Sequence, residues 1–427
     1  MSFSPADTLV TDLVGCPIPG LASEFGTPVY VYDAAKIVER ITDLKPFDTV
    51  RYAQKACSNL SVLSLVREQG VVVDAVSAGE IVRALAAGYR PGQEGMERPD
   101  IIYTADIFDR ASLDLVVEHD LRVNCGSPDM IDQYGEHCRE LGRERGITLR
   151  INPGFGHGHS QKVNTGGSGS KHGIWHDQIV DCARRAESYG LSVSGLHMHI
   201  GSGTDMHHLS QVCEAMERVA SEVGPSVHSI SAGGGLPTPY KAEDETVSIP
   251  SYFELWDGVR NRLASAWGHE VELEIEPGRY LTAESGSLIT EVRAVKQMGD
   301  RLYCLVDAGF NNLARPVMYG AHHPIALCPV GDAQREVVDV VVGGPLCESG
   351  DIFTQEEGGF VTSRPLPQPE VGDYLVIGAA GAYGYVMSSN YNSKPMVAEV
   401  LLKDGEARLI RAAQTNEDLL RGESSSD

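Results

Sequence analysis

Several residues with the means to do chemistry stand where short β-rich runs of this chain end. Lys55 closes Arg51-Tyr52-Ala53-Gln54-Lys55-Ala56, after the first run that reads as a buried strand. A lysine amine there is either a solvated charge or a nucleophile able to hold an aldehyde as an imine. Gly233-Gly234-Gly235 follows a later run. Three glycines let backbone N–H groups approach an anion closely, or simply form a turn. His197-Met198-His199-Ile200-Gly201-Ser202-Gly203 offers an imidazole to stack on a ring, against the alternative of a satisfied core histidine. Glu276-Pro277-Gly278-Arg279 offers a carboxylate that could take a ring-nitrogen proton or pair with Arg279. His197 and His199 could also ligate a metal, but the carboxylate near them in sequence is Asp205 alone, so no metal is expected. An amine, a phosphate cradle, a ring stacker and a carboxylate together suit pyridoxal 5'-phosphate. The lysine would hold its aldehyde, the glycine amides its phosphate, and the carboxylate would keep its pyridine nitrogen protonated.

Such groups act together only if one fold gathers them. Eight β-rich runs lie between residues 48 and 276: 48–54, Val71–Ala75, Asp100–Tyr103, Leu121–Asn124, Ile147–Asn152, Val193–Met198, Val227–Ser231 and Val271–Ile275. Helical patterns separate them; in 251–267, Trp256, Val259, Leu263 and Trp267 share one face. This alternation predicts a parallel (β/α)8 TIM-type barrel, whose active site lies at the C-terminal strand ends where these residues fall. A doubly wound sheet would call for Gly-x-Gly-x-x-Gly after the first strand, and that motif is missing. After about residue 286, turn-separated strands with little helix predict a mostly antiparallel β-barrel or sandwich. The barrel is expected over 34–286 and the β domain over 287–427 together with 1–33. Gly154–Gly173 reads as a loop after the fifth strand and lacks the Gly-Lys-Ser/Thr of a nucleotide-binding loop.

A length of 427 residues favours two domains. The net charge of -24 argues against nucleic acid or an anionic membrane as partner. No apolar run approaches the roughly 18 residues of a membrane span. Lys36 is the first basic residue and Ser2 stands where a myristoylation signal has Gly, so neither a secretory signal nor a lipid anchor is expected. Nine cysteines without a Cys-x-x-Cys pair read as reduced thiols of a cytoplasmic protein.

Tyr52-Ala53-Gln54-Lys55-Ala56, His197-Met198-His199-Ile200-Gly201-Ser202, the triple glycine and Glu276-Pro277-Gly278-Arg279 resemble the group of alanine racemase-type barrels and basic amino acid decarboxylases. Gly344-Pro345-Leu346-Cys347-Glu348-Ser349-Gly350-Asp351, Gly381-Ala382-Tyr383-Gly384 and Met387-Ser388-Ser389-Asn390-Tyr391-Asn392 narrow the resemblance to the diaminopimelate decarboxylases, over about Thr27 to Leu420. The Gly154–His159 and Ser170–Gly173 segments are similar to the enterobacterial-type branch. The resemblance implies decarboxylation of meso-2,6-diaminopimelate at its D-centre to L-lysine and CO2, the last step of lysine biosynthesis. It implies that Lys55 holds pyridoxal phosphate, that His199 stacks on its ring, and that Ser202, Gly234, Gly235, Glu276, Gly278 and Arg279 bind its phosphate and pyridine. Arg279, Arg315 and Tyr319 would take the substrate's distal carboxylate and Glu348 its distal amine. Tyr383 would touch both molecules. Cys347 would donate the proton from the other subunit of a homodimer. Asn312 and Ala380 depart from the family's usual Asp and Thr without removing a chemical role. A racemase would place Arg where Glu276 stands. A decarboxylase for ornithine, arginine or a D-amino acid is the nearer alternative. A non-catalytic pyridoxal-phosphate regulator would have lost Lys55 or Cys347, and both are present.

Overall fold

The computed structural model describes residues 7–92, 99–156, 166–199, 206–332 and 334–424. The chain divides into two units, one of Val38–Pro237 with Thr246–Tyr280, the other of Met1–Ile37, Thr238–Glu245 and Leu281–Asp427.

In the first unit, eight parallel strands pair in chain order: Thr49–Ala53, Val72–Ala75, Ile101–Ala105, Arg122–Cys125, Arg145–Asn152, Leu191–Met198, Ser229–Ser231 and Glu272–Ile275. The last pairs with the first, Glu274 beside Thr49 and Ile275 beside Val50, so the sheet closes into the expected barrel. Helices begin where polar side chains satisfy their first N–H groups. Asn59, Ser77, Asp109, Ser127 and Ser248 each accept such a bond. The Ile249–Trp267 helix buries Tyr252, Trp256, Val259 and Leu263 on its inner face and ends at Gly268 in a left-handed cap. Trp267, expected on that face, is only half-buried and lies against the ring of His269, 5.7 Å between centroids.

The two-residue alternation sorts each barrel strand into two faces. Leu273 and Ile275 are fully buried, while Glu272 and Glu274 between them meet Thr49 and Arg51. Arg51, Asp74, Thr104, Asn124, Arg150, His197, Ser231 and Glu276 are all buried, so the barrel contains a charged and polar interior. Interiors of this fold are more often filled by branched apolar side chains.

In the second unit the order across the sheet is Arg364–Pro367, Val337–Gly343, Arg301–Val306, Gly286–Met298, Val29–Asp33, Ala398–Lys403 and Glu406–Arg411. Tyr374–Ile377 also pairs with the long Gly286–Met298 strand, and Ile325–Cys328 pairs with Tyr374–Ile377. Two pairings are parallel, Arg301–Val306 with Val337–Gly343 and Val29–Asp33 with Ala398–Lys403; the others are antiparallel. Leu13, Ile18, Leu21, Val29, Val31, Ile289, Val376, Val400 and Leu402 form an apolar core there. The sequence pattern misses Arg364–Pro367, which contains two prolines and lies at the sheet edge, where a missing N–H costs least.

Candidate active site

Lys55 follows its strand at once, in the single 3-10 turn Gln54–Ala56. Gln54 and Ala56 are buried and the lysine side chain is exposed. The Gln54 amide donates to the carbonyls of Asp74 at 3.3 Å and Glu80 at 3.1 Å, which ties the lysine turn to the end of the next strand. The Ala53 N–H donates to the carbonyl of Pro277, 3.0 Å away. A Cβ on Gly278 would lie 3.2 Å from the Ala53 carbonyl oxygen and 3.4 Å from the Ala56 Cβ. The Glu276–Arg279 segment is therefore packed onto the Lys55 turn, and glycine is the residue that permits it. Arg279 is half-buried and opens the short helix Arg279–Thr282.

Glu276 lies just beyond the last barrel strand. Its Oε2 is 2.7 Å from His197 Nε2, and its Oε1 accepts from the Ser231 hydroxyl at 3.4 Å. Burial pushes the Glu276 carboxyl up, but the charge and hydrogen bond of His197, with Arg51 and His199 nearby, outweigh it and hold the group below the usual carboxylate range. Asp74 moves the other way: burial first, then the charge of Glu276, raise it to about 7 against the pull of Lys55. The two carboxyls are one linked system. We place the charge on Glu276, which has the close histidine, and the proton on Asp74, whose Oδ1 has no hydrogen-bond partner among the described residues.

The triple glycine turns the chain with φ of +63° at Gly233 and +99° at Gly235. A Cβ on Gly234 would stand 2.5 Å from the Glu276 carbonyl oxygen, so no side chain fits. The Gly234 N–H donates to His199 Nδ1 at 3.0 Å. That bond assigns the ring proton of neutral His199 to Nε2. Burial, then the positive charges of Arg150 and Lys55, keep His199 well below its ordinary pKa, hence neutral. Gly234 was expected to offer its amide to the phosphate; here that amide orients the histidine. Ser202 and Asp205 lie outside the described residues.

Several residues of this region are given no role by the motifs. His172 Nδ1 is 2.5 Å from Asp106 Oδ2, and Asp106 Oδ1 accepts from the Gly173 N–H at 2.8 Å. Asn152 Nδ2 donates to the carbonyls of Gly167 and His172 at 3.2 and 3.0 Å, and its Oδ1 accepts from the N–H groups of Gly154 and Gly167. Arg150, buried two residues earlier, places its charge near Asp106 and His199. The available sequence signal is the alternation of Arg150 and Asn152 on one strand face, both polar in a buried run.

The second unit holds the remaining candidates. Cys347, Glu348 and Ser349 are exposed on a turn whose ends are fixed from inside. Asp351, 4 % exposed, accepts from the Leu346 N–H at 2.8 Å and the Phe310 N–H at 2.7 Å. The Gly344 N–H donates to the Asp351 carbonyl at 2.9 Å. Burial raises the Asp351 carboxyl, and those two N–H groups bring it part way back. The Cys347 N–H donates to Asn392 Oδ1 at 2.8 Å, joining the Cys-Glu-Ser-Gly-Asp motif to the distant Asn-Tyr-Asn motif. Arg315 and Tyr319 begin and end one helical turn, Arg315–Tyr319, four residues apart and so on one side of it. Arg315 is buried and Tyr319 half-buried. Tyr383 is half-buried with φ of +57°, a conformation that a residue other than glycine adopts at a cost of about 1–3 kcal/mol. Asn312 is buried; its side-chain oxygen accepts from the Gly309 N–H at 3.2 Å.

The barrel residues fit pyridoxal phosphate. Lys55 is an exposed amine whose charge reaches Asp74, Glu80 and His199. The glycine turn has no room for a side chain. Glu276 is an ionised acceptor whose Oε1, among the described residues, has only the long contact with Ser231. Residues 34–283 match the family described as "Pyridoxal-dependent decarboxylase, pyridoxal binding domain". The diaminopimelate decarboxylase of Escherichia coli (strain K12) is 54% identical over 413 residues, covering 96% of this chain and 97% of that protein. That of Streptomyces coelicolor is 52% identical over 413 residues, covering 96% and 92%. A diaminopimelate decarboxylase crystal structure superposes with a TM-score of 0.88 at 54% identity, covering 94% of each chain. The Helicobacter pylori enzyme complexed with L-lysine gives a TM-score of 0.84 at 30% identity, covering 94% of this chain and 98% of that one. With the motifs, the barrel and its charged strand ends in agreement, this chain belongs to the pyridoxal-dependent decarboxylases and, among them, to the diaminopimelate decarboxylase family.

Proposed function

We propose that this protein decarboxylates meso-2,6-diaminopimelate at its D-configured centre, releasing CO2 and L-lysine. When bound, pyridoxal phosphate would supply an electron-withdrawing ring, the chemistry that loss of a carboxylate requires. The observation that carries this reading is Glu276, a buried carboxylate kept ionised by His197 at 2.7 Å. An anion at that point would hold a proton on the cofactor's pyridine nitrogen, where an arginine would withhold one.

Lys55 provides the amine that holds the cofactor's aldehyde carbon. His199, neutral and fixed by Gly234, would lie against the ring, and Ser202, Gly235, Gly278 and Arg279 would hold the phosphate end. Arg279, Arg315 and Tyr319 bind the distal carboxylate as charge-assisted donors, and Glu348 binds the distal amine. Tyr383 would contact cofactor and substrate. Cys347 gives its thiol proton to the carbon that has lost CO2, and its exposure on the turn suits service to a second copy of the chain in a homodimer. The free cysteines support a cytoplasmic setting for the enzyme.

Turnover of meso-diaminopimelate in deuterium oxide tests the reaction. L-Lysine carrying one deuterium at its ε-carbon is expected. L-Lysine with no deuterium there, or isomerised diaminopimelate without CO2, contradicts the proposal.

A further inference from the structure

Tyr240 lies five residues beyond the triple glycine, in a segment with no motif of its own. The chain leaves the barrel unit after Pro237, and Thr238–Glu245 groups with the β unit. Within that unit the Tyr240 hydroxyl accepts a hydrogen bond from Arg315 Nη1 at 3.1 Å. The Arg315 Cζ lies 5.1 Å from the centre of the same ring, so the guanidinium is held by an oxygen and an aromatic surface at once.

The tyrosine is itself braced on two sides. The carboxylate of Asp244 accepts from the N–H groups of Tyr240 and Lys241 at 2.8 and 2.9 Å, closing a turn that fixes the Tyr240 backbone. His323, 3 % exposed, packs edge-on against the ring, 5.2 Å between centroids at 79°. The His323 Nδ1 in turn donates to the Gly378 carbonyl at 3.0 Å. Gly378 opens the Gly-Ala-Ala-Gly-Ala-Tyr stretch that ends at Tyr383. Arg315 thus rests on a connected set of rigid groups. Tyr319 on the same helical turn faces the same side.

We infer that Tyr240 is a positioning residue for recognition of the distal α-amino-carboxylate, setting the direction in which Arg315 presents its guanidinium. The inference rests on the assignment of Arg315 to that carboxylate. A long flexible arginine loses rotamer freedom when it grips a carboxylate, and a partner that holds it beforehand lowers that cost. Discrimination between a ligand with a distal carboxylate and one without it then depends on a residue that need not touch the ligand.

The test compares two inhibitors of the pyridoxal-phosphate-loaded enzyme. L-Lysine carries the distal carboxylate; 1,5-diaminopentane is the same skeleton without it. Tyr240→Phe, which keeps the ring and removes the oxygen, should weaken inhibition by L-lysine about tenfold, the weight of one hydrogen bond to a charged group. Tyr240→Ala should weaken it about a hundredfold as the ring surface is lost too. Inhibition by 1,5-diaminopentane should stay within about twofold in both, by the same reasoning. Tyr240→Phe combined with Arg315→Gln should be no worse than Arg315→Gln alone, since the pair acts as one unit. If Arg315→Gln weakens L-lysine but Tyr240→Phe and Tyr240→Ala do not, the role of Tyr240 is overturned. If Arg315→Gln leaves L-lysine inhibition unchanged, the assignment beneath it fails instead. Equal losses for both inhibitors in Tyr240→Phe mean a general structural role and also overturn the inference.

Discussion

Replacing Asp351 separates the turn that carries Cys347 from the groups that hold it. The carboxylate accepts two backbone N–H bonds, from Leu346 at 2.8 Å and Phe310 at 2.7 Å, and the side chain is almost wholly buried. Asp351→Ala strands both donors. A buried, unpaired N–H costs about 1–3 kcal/mol, and Phe310 is half-buried and can partly recover water, so the expected loss of stability is about 2–4 kcal/mol. Asp351→Asn keeps one acceptor and turns an amide N–H toward the other donor, for a loss of about 1–2 kcal/mol. Cys347 and Glu348 are themselves exposed, so the backbone of this turn does most to place them. A shift of about 1 Å in a reacting group costs on the order of a hundredfold in rate. Urea unfolding of the cofactor-loaded protein reads the first effect and CO2 release from meso-diaminopimelate the second. Unchanged urea midpoint and unchanged kcat in Asp351→Ala would refute the anchoring argument. A lowered midpoint with full kcat would refute its link to Cys347.

Three further outcomes follow from the same geometry. Purified protein should absorb at roughly 420 nm through its lysine-bound cofactor, and Lys55→Ala should abolish that band; a surviving band removes Lys55 from its role. Cys347→Ala should bind cofactor normally and slow turnover by about 10²–10⁴-fold, the usual weight of a general acid, and an unchanged rate counts against the thiol. Asp74 has a raised folded pKa of about 7, so its contribution to stability is full below the unfolded value near 4 and is lost as pH rises through about 7. Asp74→Asn should therefore gain stability relative to the parent between pH 5 and 8, and parallel melting temperatures across that range would show the aspartate to be charged throughout.

The barrel was legible because its strands are short β-rich runs that alternate with helical patterns. The placement of Lys55, the triple glycine and Glu276 just beyond barrel strands was legible from the β-rich runs that precede them. What escaped is held by contacts distant in sequence. Asp351 reads as the last letter of a motif, yet its function lies in the N–H of Phe310, 41 residues away. Tyr240 meets Arg315 across 75 residues. His197 could be read as a ligand or core residue, and only the closed barrel brings it to Glu276, 79 residues on. The polar filling of the barrel was invisible for a different reason. An alternating strand has the same pattern whether its polar face meets water or a charged interior. Gly234 shows the limit of motif transfer: the glycine is required as expected, but its amide serves His199.

The most direct test is CO2 release from meso-diaminopimelate beside ornithine, arginine and D-lysine, with the same cofactor-loaded enzyme. In the proposed reading, ionised Glu276 would account for decarboxylation, and Arg279, Arg315 and Tyr319 for the choice of substrate. The expected result is turnover of meso-diaminopimelate with kcat/KM at least about 10³-fold above the others, which lack the distal L-amino acid end that a site built to pair it would require. Comparable rates on all four compounds would contradict it.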